Sequence, residues 1–179
     1  MTDQEILQLY RSGEREKAFR GLVSSYKERL YWHIRRMVLD HDDTDDCLQN
    51  TFVKVWQSLD RFRGDAQLYT WLYRIATNES LTFLSRQQTR GGSLTLEAAG
   101  RLSTDPWFDG DQLQRSLYKA IAKLPPKQKA VFNLRYFEEM PYEKIAQVLE
   151  TSEGALKASY HHAYEKVKSW MKEEIDARY

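Results

Sequence analysis

Lys157, Ser159, His161, His162 and Lys166 fall on the outward positions of a segment near the end of the chain whose apolar residues recur at helical intervals. Each can donate a hydrogen bond, and phosphate oxygens and guanine edges accept them, so the chemistry they suit is recognition of duplex DNA. A second set lies earlier, where Phe62, Tyr69, Trp71 and Tyr73 are interleaved with Arg61, Arg63 and Arg74 and with Thr70, Thr77 and Asn78. Ring faces set among cations can hold unpaired bases. Gly64 beside Asp65 permits a tight loop able to close around a base drawn out of its stack. Aromatic residues at helical spacing are also what a core uses, so Trp71 and Tyr73 read equally well as packing residues.

The elements that position the first set span Pro141 to Lys168. Ile145, Ala146 and Leu149, then Leu156, Tyr160, Ala163 and Val167, predict two helices whose apolar faces close on each other, with small Ala146 allowing a near approach. Between them, Glu150 to Gly154 supplies a stop, and Thr151 or Ser152 the cap of the next helix. A helix-turn-helix of this kind places its second helix in the major groove. The same pattern also occurs as a plain packing hairpin.

Upstream, helical pattern begins near Asp3, pauses at Ser12-Gly13 and resumes from Glu14 to Leu39 through Phe19, Leu22, Tyr26, Leu30, Ile34 and Met37. The acidic run Asp40 to Asp46 opens a third helix, since carboxylates favour the positive end of the helix dipole. Leu48, Phe52, Val55, Trp56 and Leu59 mark its buried side. Its outward face carries Asp46, Gln49, Asn50, Val53, Lys54 and Gln57, with Trp56 at the margin. That face reads either as solvated or as a docking face for another protein. A fourth helix is predicted from Gln67 to Ser85. From Arg86 to Gly110 the periodicity fails among Gly91-Gly92, Gly100 and Asp105-Pro106, as in a linker. A helix then runs from Asp111 to Lys123, and another follows Leu124-Pro125-Pro126, where proline suits a helix start. The expected fold is all-α: two small helical domains, residues 1–87 and 111–179, joined by a flexible linker over 88–110, with the helix-turn-helix in the second.

Composition narrows the function. The 179 residues carry a net charge of +1, too small to coat nucleic acid by electrostatics alone. The charge is unevenly spread, with 12 Lys+Arg against 9 Asp+Glu from residue 112 onward and 13 against 13 over residues 1–86. The basic end is the helix-turn-helix end. A single cysteine, Cys47, rules out an internal disulfide and fits a reducing cytoplasm. No secretory leader or membrane-spanning stretch is read, so a cytoplasmic protein without membrane insertion is expected. There is no Gly-rich phosphate loop, no Cys/His metal spacing and no nucleophile in a recognisable setting. His161 and His162 adjoin and point apart, unlike a chelating i, i+4 pair. No catalytic residue, metal or cofactor is expected.

Three stretches in order, Asp42 to Trp56, Phe62 to Asn78 (Phe62-Arg63-Gly64-Asp65 and Tyr69 to Asn78), and Leu124-Pro125-Pro126 with Tyr142 to Ala146, closely resemble the extracytoplasmic-function (ECF) sigma factors, promoter-recognition subunits of bacterial RNA polymerase. The resemblance spans nearly the whole chain. It implies that Asp46, Gln49, Asn50, Val53 and Trp56 dock on the clamp coiled coil of the polymerase's largest subunit. It implies that Phe62, Arg63, Gly64, Asp65, Tyr69, Trp71, Arg74 and Asn78 melt the minus-10 element and capture a flipped base, with Phe62 and Asn78 at the pocket. Lys157, Ala158, Ser159, His161, His162 and Lys166 then read the minus-35 element, and Arg135 meets the DNA backbone. Core polymerase and promoter DNA are the implied partners, with an inhibitory anti-sigma factor, often membrane-bound in the family. The chain departs from many members in having Ser159, His162 and Tyr164 where they place arginines, which removes charge and bidentate guanine readout. His161 and His162 are expected to contact DNA directly, so that minus-35 affinity weakens as pH rises through the imidazole range.

Two other classes compete. A free-standing two-domain regulator would bind duplex DNA unaided at paired half-sites. A helical adaptor would bind protein only. The Phe62 to Asn78 loop and helix favour the sigma factor, because neither alternative needs a pocket for an unstacked base.

Overall fold

A computed structural model describes residues 1–64, 66–90 and 112–178, and every regular element among them is helical. Asp3–Arg11 (α1), Arg15–Val38 (α2), His41–Ser58 (α3) and Leu68–Thr89 (α4) form the amino-terminal half. A 3-10 turn, Leu59–Arg61, follows α3. Gln112–Ala122 (α5), Pro126–Tyr136 (α6), Tyr142–Leu149 (α7) and Glu153–Arg178 (α8) form the carboxy-terminal half.

Local chemistry explains most boundaries. Thr2 and Glu5 exchange hydrogen bonds as a capping box, Glu5 N to Thr2 Oγ1 at 3.2 Å and Thr2 N to Glu5 Oε2 at 2.7 Å, which starts α1. Asp40 starts α3 by accepting from Asp43 N at 3.1 Å. Pro126 occupies the first turn of α6, where its missing N–H costs nothing. The fourth helix runs a turn beyond its expected end at Ser85. Gln87 is buried there, and Thr89 Oγ1 donates back to Ser85 O at 3.1 Å, so the last turn has its own support.

One boundary has no local explanation. α2 ends at Leu39 with φ 68°, a left-handed conformation that usually selects glycine or asparagine. The leucine side chain is 2 % exposed and packs on Tyr118 and Ala122 of α5. Burial of an aliphatic side chain, worth about 1.5–3 kcal/mol, exceeds the roughly 1–2 kcal/mol of backbone strain.

The amino-terminal core gathers Leu22, Leu30, Ile34, Met37, Val55 and Leu72 around the crossing of α2, α3 and α4. It does not stop at the end of that half. Ala130, Val131 and Leu134 of α6, Met140 of the following turn, and Ile145 and Val148 of α7 belong to the same continuous cluster. A second cluster, Ile121, Leu124, Phe132, Ala163 and Val167, ties α5 and α6 to α8. Of the expected linker, 88–90 complete α4 and its cap, and 91–110 lie outside the described residues.

Candidate nucleic-acid and partner interface

Helix α3 turns Thr44, Cys47, Thr51 and Val55 into the core. Asp46, Gln49, Asn50, Val53 and Trp56 are all exposed on its other side. Trp56 was also expected on the buried side, but it is 36 % exposed, and Val53 is 49 % exposed. The indole is fixed in place by its neighbours. Arg15 lies 4.3 Å over its ring, Phe19 meets it edge-on at 5.1 Å, and Arg15 Nη2 donates to Trp56 O at 2.5 Å. A rigid tryptophan beside an exposed valine, among amides and a carboxylate, has the composition of a protein-docking hot spot. Cys47 is inert within the helix, its thiol pushed up to about 12 by burial and then by Glu79.

Helix α4 carries the second set. Phe62 and Trp71 are half-buried, with ring centroids 5.0 Å apart and planes tilted by 44°. Gly64 adopts φ 82°, a conformation open to glycine, and Asp65 lies outside the described residues. Tyr69 is half-buried, and Arg63, Arg74 and Asn78 are exposed. Tyr73, which read either as stacking surface or as core, is core: it is fully buried, and its hydroxyl donates to Glu138 Oε2 at 2.8 Å. The carboxylate comes from the opposite half of the chain. Burial, with Glu138 adding to it, holds the Tyr73 hydroxyl well above the usual phenol range. Beneath this face, His33 is fully buried with Nε2 2.8 Å from Thr77 Oγ1.

The third set lies on the hairpin. Ile145 and Val148 are the buried residues of α7, so the seam includes Val148, which the sequence pattern left out. Leu156, Ala163 and Val167 are those of α8. The turn is built differently from its expected form. The left-handed residue is Glu150, with φ 54°, whereas Gly154 is the second residue of α8 and has open space where a Cβ would stand. Ser152 rather than Thr151 caps α8, accepting from Ala155 N at 3.3 Å. Lys157, Ala158, His161, His162 and Lys166 are exposed along α8, and Ser159 is half-buried. Lys157 Nζ sits 5.8 Å over the ring of Tyr142, and Lys166 Nζ donates to Gln128 Oε1 at 3.0 Å. Arg135 is partly engaged. Its guanidinium lies 4.7 Å over Tyr142 and donates to Met140 O at 3.2 Å, bracing the turn into α7.

Among the described residues, no cluster of three His, Cys, Asp or Glu could hold a metal, and no helix is long and apolar enough to cross a membrane. An aromatic-edged helix, α4, together with a helix-turn-helix, α7 and α8, in a chain whose described elements are all helical, is the make-up of a helical transcription factor. The sigma-70 region 2 family model matches residues 22–90 and the sigma-70 region 4 model residues 114–167, together more than two thirds of the chain. The chain belongs to the sigma-70 family, in its ECF group of RNA polymerase sigma factors. It is similar to the ECF RNA polymerase sigma-E factor of Haemophilus influenzae, at 29 % identity covering 94 % of this chain and 95 % of that one. Identity to the sigma-E factor of Escherichia coli K12 is also 29 %, covering 93 % of each. The sigma factor RpoE of Bartonella quintana, solved with the anti-sigma factor NepR, shares the fold with a TM-score of 0.68 at 21 % identity, covering 87 % of this chain and 98 % of that one. CnrH, solved with the cytosolic domain of CnrY, does so at 0.64 and 23 % identity, covering 88 % and 89 %. The family consists of transcription initiation factors that are not themselves enzymes.

Proposed function

We propose a division of labour among the three exposed sets, within a cytoplasmic protein that performs no chemistry of its own. Asp46, Gln49, Asn50, Val53 and Trp56 dock on core RNA polymerase. Phe62, Arg63, Gly64, Asp65, Tyr69, Trp71, Arg74 and Asn78 open the minus-10 element. Lys157, Ala158, Ser159, His161, His162 and Lys166 read the minus-35 element, with Arg135 placing the helix. Residues 1–87, 88–110 and 111–179 serve as the melting domain, the tether and the upstream reader. An anti-sigma factor acts as the inhibitory partner.

The observation that carries this reading is one side of α4, where exposed Arg74 and Asn78 follow Trp71 at helical spacing and Trp71 forms a tilted ring pair with Phe62. Stacking on such a platform is worth about 1–3 kcal/mol per base, enough to repay extrusion from a duplex step. Run-off transcription with purified core polymerase, with and without the chain, tests the assignment; no gain in initiation at any start site would end it. Within the holoenzyme, Asn78→Ala or Phe62→Ala is expected to slow promoter opening by about 10- to 100-fold, the range for losing one base platform. Formation of the closed complex should change little. Permanganate footprinting separates the two steps, and equal losses in both would remove the pocket assignment. Band shifts of the holoenzyme at several pH values test the upstream reader: the pH dependence should vanish in His161→Ala and His162→Ala, and persistence in both would exclude the histidine contacts.

A further inference from the structure

The exit of α3 is held by a small polar network whose other members come from the first two helices. Arg15, half-buried as the first residue of α2, lies with its guanidinium over the Trp56 ring, while its Nη2 donates to the carbonyl of the same residue. Its Nη1 donates to Asp60 Oδ2 at 2.9 Å, and the Tyr10 hydroxyl of α1 donates to Asp60 Oδ1. Asp60 stands in the 3-10 turn that follows α3, so both oxygens of its carboxylate tie that turn to the first two helices. The stability of α2 does not call for arginine at its start. A cation in the first turn opposes the helix dipole, and Arg15 Nε is buried with no partner. The ion pair adds little in return, because the Asp60 side chain is 62 % exposed. The region 2 family model begins at residue 22, so Tyr10, Arg15 and Phe19 all precede it. What this costly arginine fixes is an exposed indole.

We propose that Arg15 is a positioning residue for polymerase docking: braced by Asp60 and Tyr10, it holds the Trp56 indole in the orientation that the partner receives. The inference rests on the reading of α3 as the docking helix. An exposed indole without this brace samples several rotamers, and a partner that must order it on binding loses affinity in doing so. Val53, one turn earlier on the same face, needs no brace, since a β-branched side chain is stiff by itself. The guanidinium suits the task because its plane lies on the ring while its fork reaches Trp56 O and Asp60 together. Lysine offers the charge without the plane or the fork.

The test is a double-mutant cycle in the affinity of the full-length chain for purified core polymerase, with Arg15→Met and Arg15→Lys each measured in the wild-type and Trp56→Ala backgrounds. Each arginine variant is expected to weaken binding about 2- to 10-fold in the wild-type background, the factor set by ordering one side chain on association, and to have no effect once the indole is gone. Equal losses in both backgrounds would mean that Arg15 touches the polymerase itself or acts through the fold at large, and would overturn the proposal. Full affinity in Arg15→Lys would overturn it too, since charge alone would then suffice. The free chain gives a second readout through fluorine NMR of fluorotryptophan-labelled protein, with the Trp56 line identified by its loss in Trp56→Phe. That line should shift and average in both arginine variants while those of the other tryptophans stay in place, which also reports an intact fold; an unmoved Trp56 line sinks the idea. Should Arg15→Met disturb every line, Arg15→Lys carries the same comparisons. Failure of the underlying reading is seen separately, as a Trp56→Ala chain that binds core polymerase as tightly as the wild type.

Discussion

Acidification from about pH 7 to pH 4 is expected to remove about 3 kcal/mol of stability through His33 alone. The ring is 0 % exposed between α2 and α4, and its Nδ1 has no partner. Burial, and after it the nearby Arg36 guanidinium, pushes its pKa from 6.5 down to about 3. Between those values the unfolded chain binds a proton that the folded chain refuses. Stability therefore rises with pH across the window: the contribution is complete above the unfolded value and is lost as pH falls toward the folded one, at about 1.4 kcal/mol for each tenfold change in proton activity. Urea midpoints of the wild type and His33→Leu at several pH values from 7 to 4 read the effect as a difference, which cancels the carboxylates common to both. Parallel curves would show that the histidine is not the acid-sensitive element. Because Thr77 holds Nε2 one residue before Asn78, the same titration should loosen the edge of α4 proposed to meet the promoter before the rest of the fold.

The second large effect concerns Lys129, and it runs in the basic range. Its side chain is almost wholly buried between the two halves, 2 % exposed, with Met37 O as its hydrogen-bond acceptor. Burial pushes the ammonium from 10.5 down to about 8. Here too the unfolded chain holds more protons between the two values, so stability rises as pH climbs from about 8 to 10.5, by about 3 kcal/mol over the full window. Below that window the folded protein carries the cost of a buried charge. Lys129→Met is expected to stabilise the protein by about 2 kcal/mol near pH 7.5, since a shape-matched apolar group removes that cost and forfeits one hydrogen bond of about 1 kcal/mol. For a chain of this size that raises the melting temperature by about 4–8 °C. Calorimetry at about pH 7.5 and pH 10 checks both parts, with the gain shrinking toward the higher value. A destabilised variant at both would mean that the hydrogen bond outweighs desolvation.

Much of the fold was legible in the chain because helix formation is written in short-range terms. The capping box at Thr2, the aspartate cap at Asp40, the prolines before α6 and the apolar spacing of α2 and α3 act within about four residues, which is the range a periodic pattern reports. Family membership was equally legible, since three motifs in order survive as strings of letters. The turn of the hairpin was less so. The pattern placed its stop across Glu150 to Gly154, and glycine is the usual left-handed residue, yet Glu150 takes that role and Gly154 enters the helix. A glutamate accepts the strain there with its carboxylate on Arg74, 76 residues earlier in the chain.

The amino-acid sequence by itself determined that the protein is helical, where most of its eight described helices begin, that it is a sigma factor, and which side chains of α3 and most of those of α8 face outward, although α8 runs to Arg178, well past Lys168, where the expected hairpin ends. Those properties follow from periodicity, capping and motif order, which involve near neighbours only. Only the tertiary structure decided that Tyr73 is core rather than stacking surface, that Trp56 is fixed by Arg15, and that Leu39 can be left-handed. It alone joined Lys129 to Met37 and Asn133 to Arg36, pairs 92 and 97 residues apart. The reason is one of range: a buried polar group takes whichever partner the packing brings, and nothing in its own stretch of chain records which half will close over it.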